Sequence, residues 1–236
     1  LNASPDPTLA SFPPGGLALV VGSGAIATAL THHLQTTQTF AQTIQLGRPA
    51  LDLTDESTIA HAATLAPTLD LRLVIVATGF LHNATHTPEK TWRDLTPAHM
   101  AHSFAINATG PALLLKHLAP RLPRTGKSTF AALSARVGSI ADNRLGGWYS
   151  YRAAKAALNQ ILHTASIELA RTRPHATIVA LHPGTVASPL SAPFAKSGLI
   201  LQTPAQSAAR LLAVIDSLDA SASGSFHDYR GEPIPW

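Results

Sequence analysis

Cysteine is absent from the 236-residue chain. That excludes a disulfide framework, a thiol nucleophile and a zinc–thiolate site. Charge is scarce as well: 13% of residues are charged against 45% hydrophobic, where soluble domains carry about 25% charged. No apolar stretch approaches the ~18 residues of a membrane span, and no basic-then-apolar start marks a secretory signal. The net charge of +4, from 17 basic and 13 acidic residues, reflects few acids rather than a basic tract. Its scattered Lys and Arg argue against a nucleic-acid face. These absences leave a cytoplasmic protein, with a single large α/β domain as the size-matched expectation.

Histidine is the exception to this scarcity, with twelve copies. His82 and His86 are four apart and His99 and His102 three apart, but neither pair carries the Glu of a His-Glu-x-x-His helix. No metal is expected.

Residues 1–16 hold four prolines, two glycines and no periodic apolar pattern, and read as a flexible leader. Leu17–Val21 is an apolar run suited to a strand buried on both faces. It feeds Gly22-Ser23-Gly24-Ala25-Ile26-Ala27, a Gly-x-Gly-x-x-Ala loop between a strand and a helix. In that setting Gly22 permits the tight turn, Gly24 lets the backbone approach a pyrophosphate, and the helix start offers unpaired N–H groups. After the strand Thr43–Gly47 stands Arg48, where an acid would hold a ribose 2′-hydroxyl in NAD-binding domains. Arg48 can instead pair with a 2′-phosphate, which favours NADP over NAD.

The alternation continues. Strands are expected at Leu71–Ala77, Lys127–Leu133 and Ala176–Leu181. Helices are expected from Thr96 to about Leu118, from Ser150 to about Arg171 and from Pro204 to Ser217. Pro111 disturbs the first of these, which either leaves room for Asn107 to face inward toward a site or simply marks a kink. With at least six βα units, no internal linker and no repeat, residues 17–236 form one Rossmann-type doubly wound parallel sheet with helices on both faces. Tyr151 and Lys155 sit four apart on one helix face. An ammonium beside a phenol lowers its pKa toward a working range for acid–base chemistry.

Taken together, these motifs resemble a short-chain dehydrogenase/reductase. The glycine loop, Asp52, Asn107, Ser139, Tyr151, Lys155 and Pro183-Gly184 stand in that family's order. Gly79-Phe-Leu-His82, Pro88-Glu-Lys90, Gly146-Gly-Trp-Tyr-Ser-Tyr-Arg152 and Gly184-Thr-Val-Ala-Ser188 are similar to its C-factor-like, or sniffer-like, branch. The resemblance implies an oxidoreductase that moves hydride between NADP and a carbonyl or alcohol, without metal. Tyr151 would be the general acid, Lys155 would tune it and hold the nicotinamide ribose, and Asn107 would order a relay water. Gly22, Ser23, Gly24, Ala25 and Ile26 would cradle the phosphates. Asp52 and Leu53 would lie at the adenine, and Ala77, Thr78 and Gly79 beside its ribose. Pro183, Gly184, Val186 and Ser188 would hold the carboxamide. Ala25 and Ala27 replace glycines usual in the family, and the position thirteen before the Tyr, usually Ser, is Gly138. Ser139 is the first choice for the catalytic serine and Ser134 the second. A non-catalytic NADP sensor on the same fold is the alternative. The resemblance also implies a homodimer or homotetramer, built on the helices at Thr96–Leu118 and Tyr151. The segment from Ser188 to about Thr203, with Pro189, Leu190, Phe194, Leu199 and Ile200, would cover an apolar substrate pocket, joined by Trp148 and His82.

Overall fold

The computed structural model describes residues 8–194 and 201–236. Six strands pair entirely in parallel: β1 (Leu17–Val21), β2 (Gln42–Leu46), β3 (Leu71–Val76), β4 (Ser128–Leu133), β5 (Ala176–His182) and β6 (Ser225–Asp228), in the order β2-β1-β3-β4-β5-β6. Parallel neighbours need long crossovers, and the intervening helices supply them. The helices are α1 (Ala25–Thr37), α2 (Glu56–Ala62), α3 (Pro97–Phe104), α4 (Gly110–Leu118), α5 (Tyr149–Ala170) and α6 (Pro204–Ser217).

The apolar runs become strands because both of their faces are covered. In β1, Leu17, Leu19 and Val21 pack with Leu114, Leu118, Leu158 and Leu162 of α4 and α5. Ala18 and Val20 point the other way, to Leu30 and Leu34 of α1 and Leu211, Leu212 and Ile215 of α6. The period-2 alternation of a strand thus divides one run between two cores. Capping boxes fix element starts where they occur. Thr203 and Gln206 exchange side-chain bonds at the start of α6, which also has Pro204 at its first position.

Two expectations change. The leader is shorter than its composition suggests: Leu9 and Phe12 are buried, Phe12 meets Phe40 edge-on at 5.5 Å, and Ser11 bonds Asp216. These two apolar side chains carry no period, so they give no sequence signal, yet they extend the α1/α6 core. Residues 1–7 lie outside the described residues. The long helix from Thr96 is interrupted by a π-turn at Ala105–Thr109 between α3 and α4. Pro111 has no N–H to return to the Asn107 carbonyl, and its ring crowds that carbonyl. The widened turn accommodates both.

Strand order reverses at β1 and β3, and the crevice outside their carboxyl ends is where such sheets take ligands. The turns after β1, β3, β4 and β5 all open there. No helix among the described residues is long and apolar enough to cross a membrane.

Candidate active site

The glycine loop is held tightly on one side and open on the other. Gly22 has φ +140°, and a Cβ there would lie 2.7 Å from the Ala77 carbonyl oxygen. Its amide donates to Leu46 O at 2.6 Å, and Gln45 Nε2 donates to its carbonyl at 2.9 Å. A Cβ on Gly47 would strike Ser23 at 2.8 Å. Gly24, by contrast, has nothing within 4 Å of its would-be Cβ. It is the N-cap of α1 without a side-chain cap, so first-turn amides of α1 stay free for an anion. The replacement of glycine by Ala25 and Ala27 costs no space: Ala25 starts the helix and Ala27 is fully buried in the core beneath it.

At the end of β2, Arg48 is exposed. Its charge contributes to holding the Asp52 carboxyl below its usual range, after the bonds Asp52 accepts from Thr54 Oγ1 at 2.7 Å and Thr54 N at 2.8 Å. Leu53 turns inward, its side chain filling the space a Cβ on Gly110 would need. Any part it has at an adenine is therefore a backbone part.

Asn107, Lys155 and Gly79 converge. A Cβ on Gly79 would lie 3.7 Å from Asn107 Oδ1 and 4.0 Å from Lys155 Nζ. The π-turn swings Asn107 fully inside, where Nδ2 donates to Phe80 O at 2.8 Å and Oδ1 accepts from Phe80 N at 3.0 Å. Lys155 is 2% exposed and donates from Nζ to Leu133 O at 2.7 Å. Thr78 Oγ1 is buried among the described residues with no hydrogen-bond partner, a polar group aimed at nothing the chain supplies. Replacing Asn107 by Ala would strand both backbone groups of Phe80. The expected loss is about 1–3 kcal/mol in urea unfolding, the cost of buried unpaired donors and acceptors.

Tyr151 lines a cavity of about 400 Å³ that also takes in Ile26 of the glycine loop, Pro183, Gly184, Val186 and Ser188 after β5, and Ser134 and Ala135 after β4. Trp148 (ring centroid 6.3 Å from Tyr151), Leu145, Leu190 and Phe194 give it apolar walls. Among the described residues no group hydrogen-bonds the Tyr151 hydroxyl. His82 packs edge-on against Phe194 at 5.4 Å and is not itself in the lining. Leu199 and Ile200 lie outside the described residues.

Burial dominates the electrostatics. It pushes Tyr151 up to about 12 and Lys155 down to about 7. Lys155 Nζ is 5.9 Å from the Tyr151 ring centroid. The expectation that the ammonium draws the phenol down does not hold in the protein alone, because the shared apolar setting penalises both charged forms. The phenol is therefore protonated across the neutral range, the state that can donate.

The structure does not bring the first-choice serine to this cavity. Ser139 is 1% exposed, its hydroxyl accepts from Asp142 N at 3.0 Å, and it is not among the lining residues. The position thirteen before Tyr151 is packed shut: a Cβ on Gly138 would lie 2.8 Å from Lys155 Cβ. Ser134 reaches the lining, but its hydroxyl donates to Asn159 Oδ1 at 2.6 Å. Arg136, Arg144 and Arg152 line the cavity unforeseen. Their only sequence signal is their place in the segment from the end of β4 to the start of α5, Arg152 being the residue after Tyr151. Arg152 is spent on three carbonyls, of Gly146, Gly147 and Val137, and Arg136 pairs with Asp142 and Asp228.

His86, His99 and His102 do gather, around Phe80, with ring centroids 4.5–6.3 Å apart. Among the described residues no group of three His, Cys, Asp or Glu side chains has metal-holding geometry.

Residues 19–197 match the family model described as short chain dehydrogenase. C-signal of Myxococcus xanthus is 39% identical over 145 residues, 61% of this chain and 82% of that protein. The 1-hydroxy-2-glutathionyl-2-methyl-3-butene dehydrogenase of Rhodococcus sp. (strain AD45) is 35% identical over 131 residues, 56% of each chain. Among solved structures, NADPH-bound carbonyl reductase from chicken fatty liver superposes with a TM-score of 0.77 at 22% identity, covering 100% of both chains. Carbonyl reductase Sniffer of D. melanogaster gives 0.72 at 20%, covering 95% of this chain and 100% of that one.

Proposed function

The chain belongs to the short-chain dehydrogenase family, and on that premise we propose that it is an NADP-dependent oxidoreductase acting on a carbonyl/alcohol pair. The observation that carries this reading is the single cavity joining Ile26 of the glycine loop to Tyr151 and to the Gly184–Ser188 turn. NADPH has been seen in the chicken carbonyl reductase of the same fold, and the other named relatives include a dehydrogenase.

The residues present fit a dinucleotide. The open face at Gly24 and the free amides of α1 suit its pyrophosphate, and exposed Arg48 suits a 2′-phosphate. Asp52 stands near Arg48 for the adenine edge. Thr78, with its partnerless hydroxyl, would flank a ribose, while Lys155, Ser188 and the backbone near Val186 would hold the nicotinamide end. When bound, NADPH supplies the hydride. The chain's own part is to seat the carbonyl carbon in the apolar cavity and to give its oxygen a proton from Tyr151 Oη. Asn107 and Lys155, meeting at Gly79, stand where a relay could return that proton.

A second reading, a non-catalytic NADP sensor, draws on one observation: neither Ser139 nor Ser134 offers a free hydroxyl to the cavity. Fluorescence titration with NADPH and NADH tests the cofactor assignment. Arg48→Ala is expected to weaken NADPH binding by roughly tenfold or more, the loss of a charge-assisted phosphate bond, with NADH binding unchanged. Equal loss for both nucleotides would remove the 2′-phosphate assignment. Turnover of carbonyl substrates separates the enzyme from the sensor.

A further inference from the structure

Helix α5 carries Tyr151 and Lys155, yet its own N-cap residue does not cap it. Trp148 occupies that position in the left-handed region (φ 54°, ψ 41°), with no side-chain cap bond. Its indole is given to the cavity wall, 6.3 Å from Tyr151 and 5.1 Å from Phe194. A helix start without a cap leaves first-turn N–H groups unpaired, and here the first turn is where the proton donor stands.

The cap comes from a distant loop. Glu89 is 2% exposed. Its Oε2 accepts from Ser150 N at 3.2 Å, and its Oε1 accepts from the Ser150 hydroxyl and faces His99 Nδ1 at 3.3 Å. Its backbone carbonyl accepts from Trp148 N at 2.6 Å. Ser150 also accepts, at its carbonyl, a bond from Ser103 Oγ at 3.2 Å, and Ser103 Oγ takes Asn107 Nδ2 at 3.3 Å. The residue preceding Tyr151 is thus gripped at its amide, hydroxyl and carbonyl, and the last of these grips leads to Asn107.

The geometry points to Glu89 as a positioning residue for the hydride-transfer site: a buried carboxylate that caps α5 in place of Trp148 and so fixes Tyr151, freeing the N-cap position for a substrate-facing indole. This rests on Tyr151 being the proton donor. A buried carboxylate is costly unless its lone pairs are satisfied; the Ser150 amide and hydroxyl both donate to it, and the His99 ring nitrogen stands 3.3 Å away. Packing alone would be served by an apolar residue.

Glu89→Asp keeps the charge but withdraws it by one methylene. Glu89→Gln keeps the reach, with its carbonyl to Ser150 N and its amide to the Ser150 hydroxyl and His99, either of which can accept. Hydrogen exchange of the first α5 turn, NADPH affinity by fluorescence, and kcat with isatin as the carbonyl probe are measured on both, beside Tyr151→Phe. For Glu89→Asp the expectation is faster exchange confined to that turn, unchanged NADPH affinity and kcat down by about ten- to a hundredfold, the penalty for a misplacement on the order of 1 Å. Glu89→Gln is expected to restore exchange and kcat to within about threefold of the wild type, less than half a tenfold step in free energy. Unchanged exchange and kcat in Glu89→Asp, with Tyr151→Phe inactive, would overturn the positioning role alone. Unaltered activity in Tyr151→Phe would overturn the role together with the proton-donor reading. Equal thermal destabilisation of both Glu89 variants, with kcat preserved, would reduce the residue to a structural one.

Discussion

Tyr151→Phe is expected to bind NADPH as the wild type does and to lose about 10³-fold in kcat with a carbonyl substrate, within the 10²–10⁴ range of general acid catalysis. That corresponds to roughly 4 kcal/mol of transition-state stabilisation. The substitution removes one oxygen and little else. Among the described residues the hydroxyl makes no hydrogen bond, so its loss strands no buried partner and costs the fold little. Burial holds the phenol up to about 12, so at neutral pH it carries the proton that general acid catalysis needs. Phenylalanine keeps the ring against Trp148 and the cavity its shape. A loss confined to KM would instead mark Tyr151 as a binding residue.

Lys155→Met is expected to act twice. It removes the group at which Asn107 and Gly79 meet, so kcat falls by about 10²-fold or more, the usual worth of a participant in proton transfer. It also changes how stability responds to pH. Burial lowers the folded pKa of Lys155 from 10.5 to about 7. Between those values the unfolded chain holds a proton that the folded chain has released. Stability therefore rises with pH across that window, by at most about 1.4 kcal/mol per pH unit for one proton. Lys127, lowered to about 8, contributes in the same direction over a narrower range. Tyr151 works the other way above pH 10, where the folded chain keeps a proton that the unfolded one loses. Urea unfolding of the nucleotide-free protein should show a steeper rise from about pH 7 to 9 in the wild type than in Lys155→Met, with the Lys127 share remaining. Parallel curves would mean that Lys155 stays charged inside the fold.

The parts of this site that rest on local chemistry could be read from the chain. Leu17–Val21 followed by Gly22-Ser23-Gly24 states strand, turn and helix start in eight residues, and the structure places that loop as the apolar pattern requires. Tyr151 and Lys155 need only the helical repeat to share a face. What could not be read depends on distance. Counting back from Tyr151 leads to Gly138, but a short helical turn at Arg136–Gly138 presses that residue under α5 and aims Ser139 at Asp142. Only the packing reveals this. Pro111 announces a disturbance without saying that the turn widens to admit Asn107. Leu9 and Phe12 carry no period and give no notice of their burial. Glu89 stands in the Pro88-Glu-Lys90 motif, but nothing local tells what it touches, since its partners Ser150 and His99 are 61 and ten positions away.

Hydride transfer itself is the most direct test. The protein would be incubated with NADPH deuterated at the transferring nicotinamide position and a panel of aldehydes and ketones, and the alcohols analysed by mass spectrometry. Deuterium is expected at the carbinol carbon of at least one product with the wild type, and none above background with Tyr151→Phe. Tight NADPH binding with no labelled alcohol from any carbonyl would contradict hydride transfer, and would make the protein a nucleotide sensor on a dehydrogenase fold.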